Sequence, residues 1–205
     1  MPPGRRPRPA PRKRPKQERS RATVDVILAG AERILNRDGL DAVTTARVAE
    51  VAGISVGSLY QYYPNKEAIF GALLERTIDQ YYEAMKAALE ASRTMPFDVA
   101  MRGLLAGLVS YYRAAPRMHA GLHDVVTPAG QREYYRKYLA RHTEAIAAFF
   151  AARAEVTRPP ELAAYLLVHA ADGIGQAIAR DQPDDARLAA MIDEVFTMIV
   201  RYLRA

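Results

Sequence analysis

Apolar residues recur along most of this chain at spacings of three and four, the period of a helix with one buried face. Val24, Ile27, Leu28, Ala31, Ile34 and Leu35 trace such a stripe and predict a helix from about Ser20 to Arg37, with Gly39 as its C-terminal cap. Thr44 is a good N-cap for a short helix running to Ala52, with Val48, Ala49, Val51 and Ala52 as its apolar positions. Gly53 supplies the left-handed residue that ends it, Ile54 follows inward, and Ser55 caps a second short helix, Val56 to about Tyr62, stopped by Pro64. From Lys66 a long stripe through Ile69, Phe70, Leu73, Leu74, Ile78, Tyr81, Tyr82, Met85 and Leu89 predicts a helix to about Ser92. Further helices are expected over Phe97–Ala115, 117–123, Ala129–Arg153, from Pro159 or Pro160 to Arg180, and Asp184–Arg204, separated by proline and glycine. No β alternation is visible, so the fold class is all-α.

Two short helices joined by a tight glycine turn form a helix-turn-helix, whose second helix enters the major groove of DNA. Leu59 and Tyr63 lie four apart and suit the inward side of that helix, whereas Val56, Gly57, Ser58, Tyr60 and Tyr62 are small or hydrogen-bonding and lie largely opposite. A thin polar and aromatic face suits close approach to base edges and phosphates. An ordinary solvent-facing helix has the same pattern, so this segment leaves both readings open.

The run VAEVAGISVGSLYQYYPNKEAIF resembles the DNA-binding segment of the TetR family of bacterial transcriptional regulators. The matching positions are Thr44, Val48-Ala49, Ala52-Gly53-Ile54-Ser55, Gly57-Ser58, Leu59-Tyr60, Tyr62-Tyr63 and Lys66-Glu67. Val56 departs from the pattern, since the family often has lysine or another polar residue there, and its groove contact would be apolar. The resemblance implies a three-helix DNA-binding domain, here 20–66, followed by an all-helical regulatory and dimerisation domain, here 67–205, with the 66–92 helix linking the two. It implies a homodimeric repressor released from a palindromic, inverted-repeat operator in double-stranded DNA by a small organic effector. Tyr60, Val56, Gly57 and Ser58 would face bases or the adjoining backbone. Thr44 and Thr45 at the start of their helix, with Arg47, Ser55, Tyr62 and Lys66, would meet phosphates.

Charge adds an arm to this picture. The net charge of +6 is concentrated in the first 21 residues, which hold nine lysines and arginines against one glutamate. Residues 1–19 read as a disordered Pro/Arg arm able to add sequence-independent phosphate contacts, and the rest is slightly acidic. The arm lacks the apolar centre of a signal peptide, no run of eighteen apolar residues suggests a membrane span, and a cytoplasmic protein is expected. With no cysteine in the chain, disulfides, thiolate catalysis and cysteine-bound zinc are excluded.

In the body, the 160–180 helix is apolar around most of its circumference and the last helix carries a long stripe. Val168, Ala171, Gly175, Ile178, Val195 and Ile199 are therefore expected at a dimer interface, with completion of the monomer core as the alternative. Gly173 and Gly175 suggest close passage of another helix backbone. Tyrosine, methionine and histidine in the middle helices suit a pocket for an organic molecule, and Tyr111, Met118, Tyr138 and His142 are the candidates. His119 and His123 share a spacing that can hold a metal, with Asp124 adjacent, but nothing completes the ligand set and no metal or cofactor is expected. Phosphate loops, dinucleotide fingerprints and nucleophile elbows are all missing, so catalysis is not expected. Two rivals remain: a helical protein whose polybasic arm binds anionic membrane or nucleic acid non-specifically, and a helical enzyme with an unrecognised site.

Overall fold

The computed structural model describes residues 18–120 and 131–205. The arm up to residue 17, together with His123 and Asp124, lies outside the described residues. Helix α1 spans Glu18–Asp38, followed by a 3-10 turn at Leu40–Ala42, α2 at Thr45–Val51, α3 at Val56–Tyr62 and α4 at Lys66–Ala91. Then come α5 at Phe97–Ala114, a helical turn over 116–120, α6 at Gln131–Ala151, α7 at Pro160–Asp181 and α8 at Asp185–Arg204. No strand occurs among the described residues.

Local chemistry sets most of these boundaries. Thr44 accepts from the Arg47 amide at 3.2 Å, Ser55 from Ser58 at 3.0 Å, Asn65 from Ala68 at 2.9 Å and Asp184 from Arg187 at 2.8 Å. Each side-chain oxygen satisfies one of the amides left unpaired at a helix start. Gly39 and Gly53 hold φ angles of 87° and 67°, the left-handed region that closes a helix without a Cβ penalty. Gln182 does the same after α7 at φ 43°, an end the sequence does not announce.

The described residues pack as two compact units. The first comprises 18–77 with 120 and 131–134, and the second 78–119 with 135–205. The division falls inside α4, after Thr77, rather than at its start near residue 66. Burial explains the shift, because Ile69, Phe70, Leu73 and Leu74 on the first turns of α4 are core residues, and Arg76 pairs with Glu32 of α1 at 2.6 Å. Ile27, Leu28, Ala31, Ile34 and Leu35 supply the α1 side of the first unit's core. Gly30 is also buried, and a Cβ there would lie 3.4 Å from the Ala52 nitrogen and the Val48 oxygen, so its small size lets α2 backbone lie close to α1.

In the second unit α5 packs against both α7 and α8. One apolar cluster joins Met85, Leu89, Phe97, Met101, Phe150 and Leu203, and another joins Leu105, Leu108, Tyr112, Ile178 and Leu188. Arg153 donates to the carbonyls of Ser92 and Met95 at 2.5 and 2.9 Å, closing the chain end of α4. The end of α8 is held similarly: the Leu203 carbonyl accepts from the Thr157 amide at 2.9 Å and its hydroxyl at 3.1 Å, and Arg158 donates to the Tyr202 carbonyl at 3.2 Å.

Candidate nucleic-acid interface and ligand cavity

Helices α2 and α3 are seven residues each, too short to persist in isolation. The fully buried Val48, Ala49 and Leu59, with Tyr63 beside them in the core, hold the pair in place. The opposite face of α3 is open, with Val56 41% and Tyr60 42% exposed and Gly57 exposed between them. The Tyr60 hydroxyl lies 3.2 Å from that of Thr45, which clasps α3 to the start of α2.

The polar residues on this surface are partly committed already. Ser55 and Ser58 hydrogen-bond through their hydroxyls at 2.8 Å while Ser55 caps the helix. Tyr62 is half-buried and its hydroxyl accepts from Ser20 at 3.4 Å, so it also ties α3 to α1. Arg47 reaches back to Asp38 at 2.5 Å, and Asp38 takes a second contact from Arg37 at 2.9 Å. These guanidinium partners, the Arg37 hydrogen bond first, hold the Asp38 carboxyl below its ordinary range. Lys66 is exposed at the first position of α4. The expected DNA-facing residues thus gather around α2, α3 and the first turn of α4, with Asp38 as a neighbour that sequence spacing did not single out.

In the second unit Tyr111, Tyr138 and His142 belong to one aromatic cluster. Tyr81 stacks on Tyr111 at 4.2 Å and on His142 at 5.5 Å, and Tyr138 stands edge-on to His142 at 4.0 Å. Burial is the main cause of five shifts here: the His119 and His142 imidazoles fall from the ordinary 6.5 to about 4, and the Tyr81, Tyr111 and Tyr138 hydroxyls are pushed well above 10. Met118 is buried in the same unit. A cavity of about 380 Å³ lies between α4 and α5, with Tyr81 and Tyr111 in its wall. Tyr81, Asp172 and Gln176 are functional candidates the sequence reading passed over. Gln176 donates to the Tyr135 hydroxyl at 3.2 Å, and Asp172 accepts from Tyr112 and Tyr135.

The residues expected at a dimer face divide. Val168, Gly175 and Ile178 are buried within the chain itself. Gly175 is small because the Tyr112 ring lies against it, with a Cβ meeting ring carbons at 2.0–2.5 Å, so a side chain and not a passing helix backbone occupies that space. Ala171, Val195 and Ile199 are half-buried, packed on the second unit's own core. The outward face of α7 instead carries Leu162, Tyr165, Leu166 and His169, and Gly173 is exposed with open space around it. Met198 of α8 is 66% exposed. By length and hydropathy α7 is the one helix among the described residues apolar enough to cross a bilayer, but 33% of that window is buried inside the protein. His119, the describable member of the suggested metal pair, directs its Nε2 to the Tyr111 carbonyl at 2.9 Å.

A three-helix head closed by a glycine-turn helix-turn-helix, together with an all-helical body, defines a helix-turn-helix regulator. Residues 27–73 match the family model described as bacterial regulatory proteins, tetR family, and residues 96–203 match the tetracyclin repressor-like C-terminal domain. The chain belongs to the TetR family. It is 39% identical over 74 residues to the nucleoid occlusion factor SlmA of Actinobacillus pleuropneumoniae, covering 34% of this chain and 35% of that protein. It is 32% identical over 106 residues to the HTH-type transcriptional regulator EthR of Mycobacterium tuberculosis, covering 51% and 45%. The matches thus span between about a third and a half of these relatives. Among solved structures, a transcriptional regulator from Cytophaga hutchinsonii superposes with a TM-score of 0.74 at 17% identity, over 90% of this chain and 100% of that one. A TetR-family regulator from Streptomyces coelicolor gives 0.62 at 22%, over 88% and 97%. At these identities the likeness is one of fold.

Proposed function

We propose that this TetR-family DNA-binding regulator acts as a homodimeric repressor that reads an inverted-repeat operator and leaves it when a small organic ligand binds the body. The observation that carries the reading is the open face of α3, where Val56, Gly57 and Tyr60 stand exposed above a helix anchored by Leu59. A short helix gains nothing in the core from an exposed valine and tyrosine, whereas an apolar methyl contact and an aromatic hydroxyl suit base edges. Arg47, Lys66 and the helix-start hydroxyls of Thr44 and Thr45 surround that face and suit phosphates. Tyr62 and Ser58, engaged within the head, take supporting roles beside the contact face.

Dimerisation is supported by the large apolar side chains left exposed on α7, Leu162, Tyr165 and Leu166, and by Met198 on α8, which a second copy would cover. Val168, Gly175 and Ile178 lie behind that face as its support. A two-fold dimer would hold two recognition helices roughly 34 Å apart, one turn of DNA. A ligand preferring another conformation of the body would change that spacing, and linkage requires operator DNA to weaken ligand binding by the same factor. The family and its helix-turn-helix are consistent with a cytoplasmic protein.

Selection of the purified protein on random duplex DNA at about 0.15 M salt tests the reading, because screening suppresses loose electrostatic binding there. Enrichment of one inverted repeat is the expected result. Binding without enrichment, lost as salt rises, would favour the polybasic arm as the source of affinity. Removing residues 1–19 should weaken binding on all sequences and leave the sequence preference intact.

A further inference from the structure

The cavity between α4 and α5 is walled by Tyr81, Met85, Leu108 and Tyr111, and opens beside Gly103 and Gly107, where no neighbouring atom fills the space a Cβ would take. Its two tyrosines begin a run of rings that continues through His142 to Tyr138 and Tyr135. Asp172 of α7, the one acidic residue between Leu162 and Ile178, adjoins this run through Tyr135 and through Tyr112, whose ring stands edge-on to Tyr111. Its carboxylate accepts from the Tyr112 hydroxyl at 3.2 Å and from the Tyr135 hydroxyl. Among the described residues no lysine or arginine pairs with it. Arg141, the cation that acts on His142, is engaged elsewhere: it pairs with Asp79 at 2.9 Å, stacks on Tyr82 at 4.0 Å, and its side chain is 44% exposed.

The histidines share the same bias toward accepting. Nδ1 of His142 lies 2.8 Å from the Tyr138 carbonyl. A carbonyl only accepts, so Nδ1 carries the proton, and the neutral ring keeps a lone pair at Nε2. That nitrogen is buried without a partner in a residue only 3% exposed. His119 donates from Nε2 to the Tyr111 carbonyl at 2.9 Å, which leaves its Nδ1 as the acceptor. Burial keeps both rings uncharged near neutral pH, and the Asp172 charge adds to burial in keeping the Tyr81 and Tyr111 hydroxyls protonated. Ring faces, a carboxylate without a counter-cation and a bare buried imidazole nitrogen all favour positive charge and N–H donors. An anion would meet repulsion here, and a neutral ligand would leave the carboxylate uncompensated.

We propose that this cluster and its cavity bind an organic cation, a protonated amine on an aromatic or apolar body, with the body against Tyr81 and Tyr111 and the ammonium group drawn to the acceptors around His142 and Asp172. As an identity for the effector this rests on the ligand-release reading; as a binding site it stands on the cluster alone.

Three probes with one skeleton test it on the full chain by calorimetry at pH 7.5: 2-phenylethylammonium, the neutral propylbenzene and the anionic 3-phenylpropanoate. The ammonium should bind about tenfold more tightly than propylbenzene, and the carboxylate more weakly than either. Asp172→Asn, which removes the charge, keeps an acceptor for one tyrosine and turns an amide donor to the other, should erase the difference between ammonium and propylbenzene. His142→Phe should weaken the ammonium severalfold and leave propylbenzene unchanged, a second variant that decides the matter if Asp172→Asn does not fold. Equal affinity for ammonium and hydrocarbon, or preference for the anion, would overturn the proposal. So would a cation preference that survives both variants. Release from operator DNA, measured in parallel, separates the two readings. An ammonium that binds by this pattern but leaves DNA affinity unchanged keeps the site and removes its effector role. Release by a neutral or anionic compound with no cation binding keeps ligand release and overturns the cation site.

Discussion

The hydroxyls of Tyr60 and Thr45 lie 3.2 Å apart and join the exposed face of α3 to the first turn of α2. An exposed tyrosine ordinarily samples several rotamers, and this contact narrows them before any partner arrives. Tyr60→Ala is therefore expected to weaken binding to the selected operator by about 1–3 kcal/mol, with a much smaller loss on random DNA. Tyr60→Phe should fall between, since it keeps the ring and loses the clasp. Titrations on both DNAs check this, and equal loss on both would remove the base-contact role.

Lys66 should act through charge alone. Lys66→Ala is expected to weaken binding on every sequence and reduce the slope of log affinity against log salt by about one unit. An unchanged slope would mean that Lys66 does not reach a phosphate.

Gly57 separates fold from function. Its nearest neighbour for a Cβ is the Ser55 hydroxyl at 3.9 Å, so the chain itself has room for alanine. Gly57→Ala should keep or raise thermal stability, by up to ~1 kcal/mol, while weakening operator binding through lost close approach. Unchanged DNA affinity would show that nothing comes close at that position.

Gly175 should behave in the opposite way. A Cβ there overlaps the Tyr112 ring, whose hydroxyl is anchored on Asp172, so Gly175→Ala must displace a buried aromatic. A loss of about 1–3 kcal/mol in denaturant unfolding is expected. Pairing it with Tyr112→Leu should recover part of that loss, since the smaller side chain makes room.

His119 and His142 should make the body acid-sensitive. Both imidazoles are held at about 4, mainly by burial, below the 6.5 of an unfolded chain. The unfolded state therefore takes up their protons first as pH falls. Their stabilising neutrality is fully present above about pH 6.5 and is lost progressively down to about pH 4, by roughly 2–3 kcal/mol for each ring. Denaturant melts at pH 7.5 and 5 should show the loss, and His142→Phe should be less sensitive to this change. Identical sensitivity in the variant would place the acid response elsewhere.

Much of the head was legible because its signals are local. Thr44, Ser55 and Asn65 cap the helices that follow them, and Gly53 takes the positive φ that a tight turn demands. Inward Leu59 and Tyr63 and outward Val56 and Tyr60 follow from the 3.6-residue period of a single short helix. What escaped depends on residues far apart in sequence. Gly30 against α2, Arg47 against Asp38 and Gly175 against Tyr112 each need the packed fold to reveal the partner. Glycine in an apolar helix signals a close neighbour but cannot say whether it is a ring or a backbone. Asp172, a lone acid in an apolar run, carried no pattern at all, and its two tyrosine partners lie on α5 and α6. For α7 the sequence shows apolar residues all round, and only packing separates the face spent on α5 from the face left outside.

The way the end of α8 is fastened has a practical consequence. Leu203 is fully buried, and its carbonyl is held by both the amide and the hydroxyl of Thr157. Arg204 lies outside that anchor, its guanidinium 2.6 Å from Asp98, and Ala205 follows it exposed. Cutting the chain before Leu203 should therefore open the core and strand both Thr157 donors, which marks this anchor as the limit of any shortening of α8.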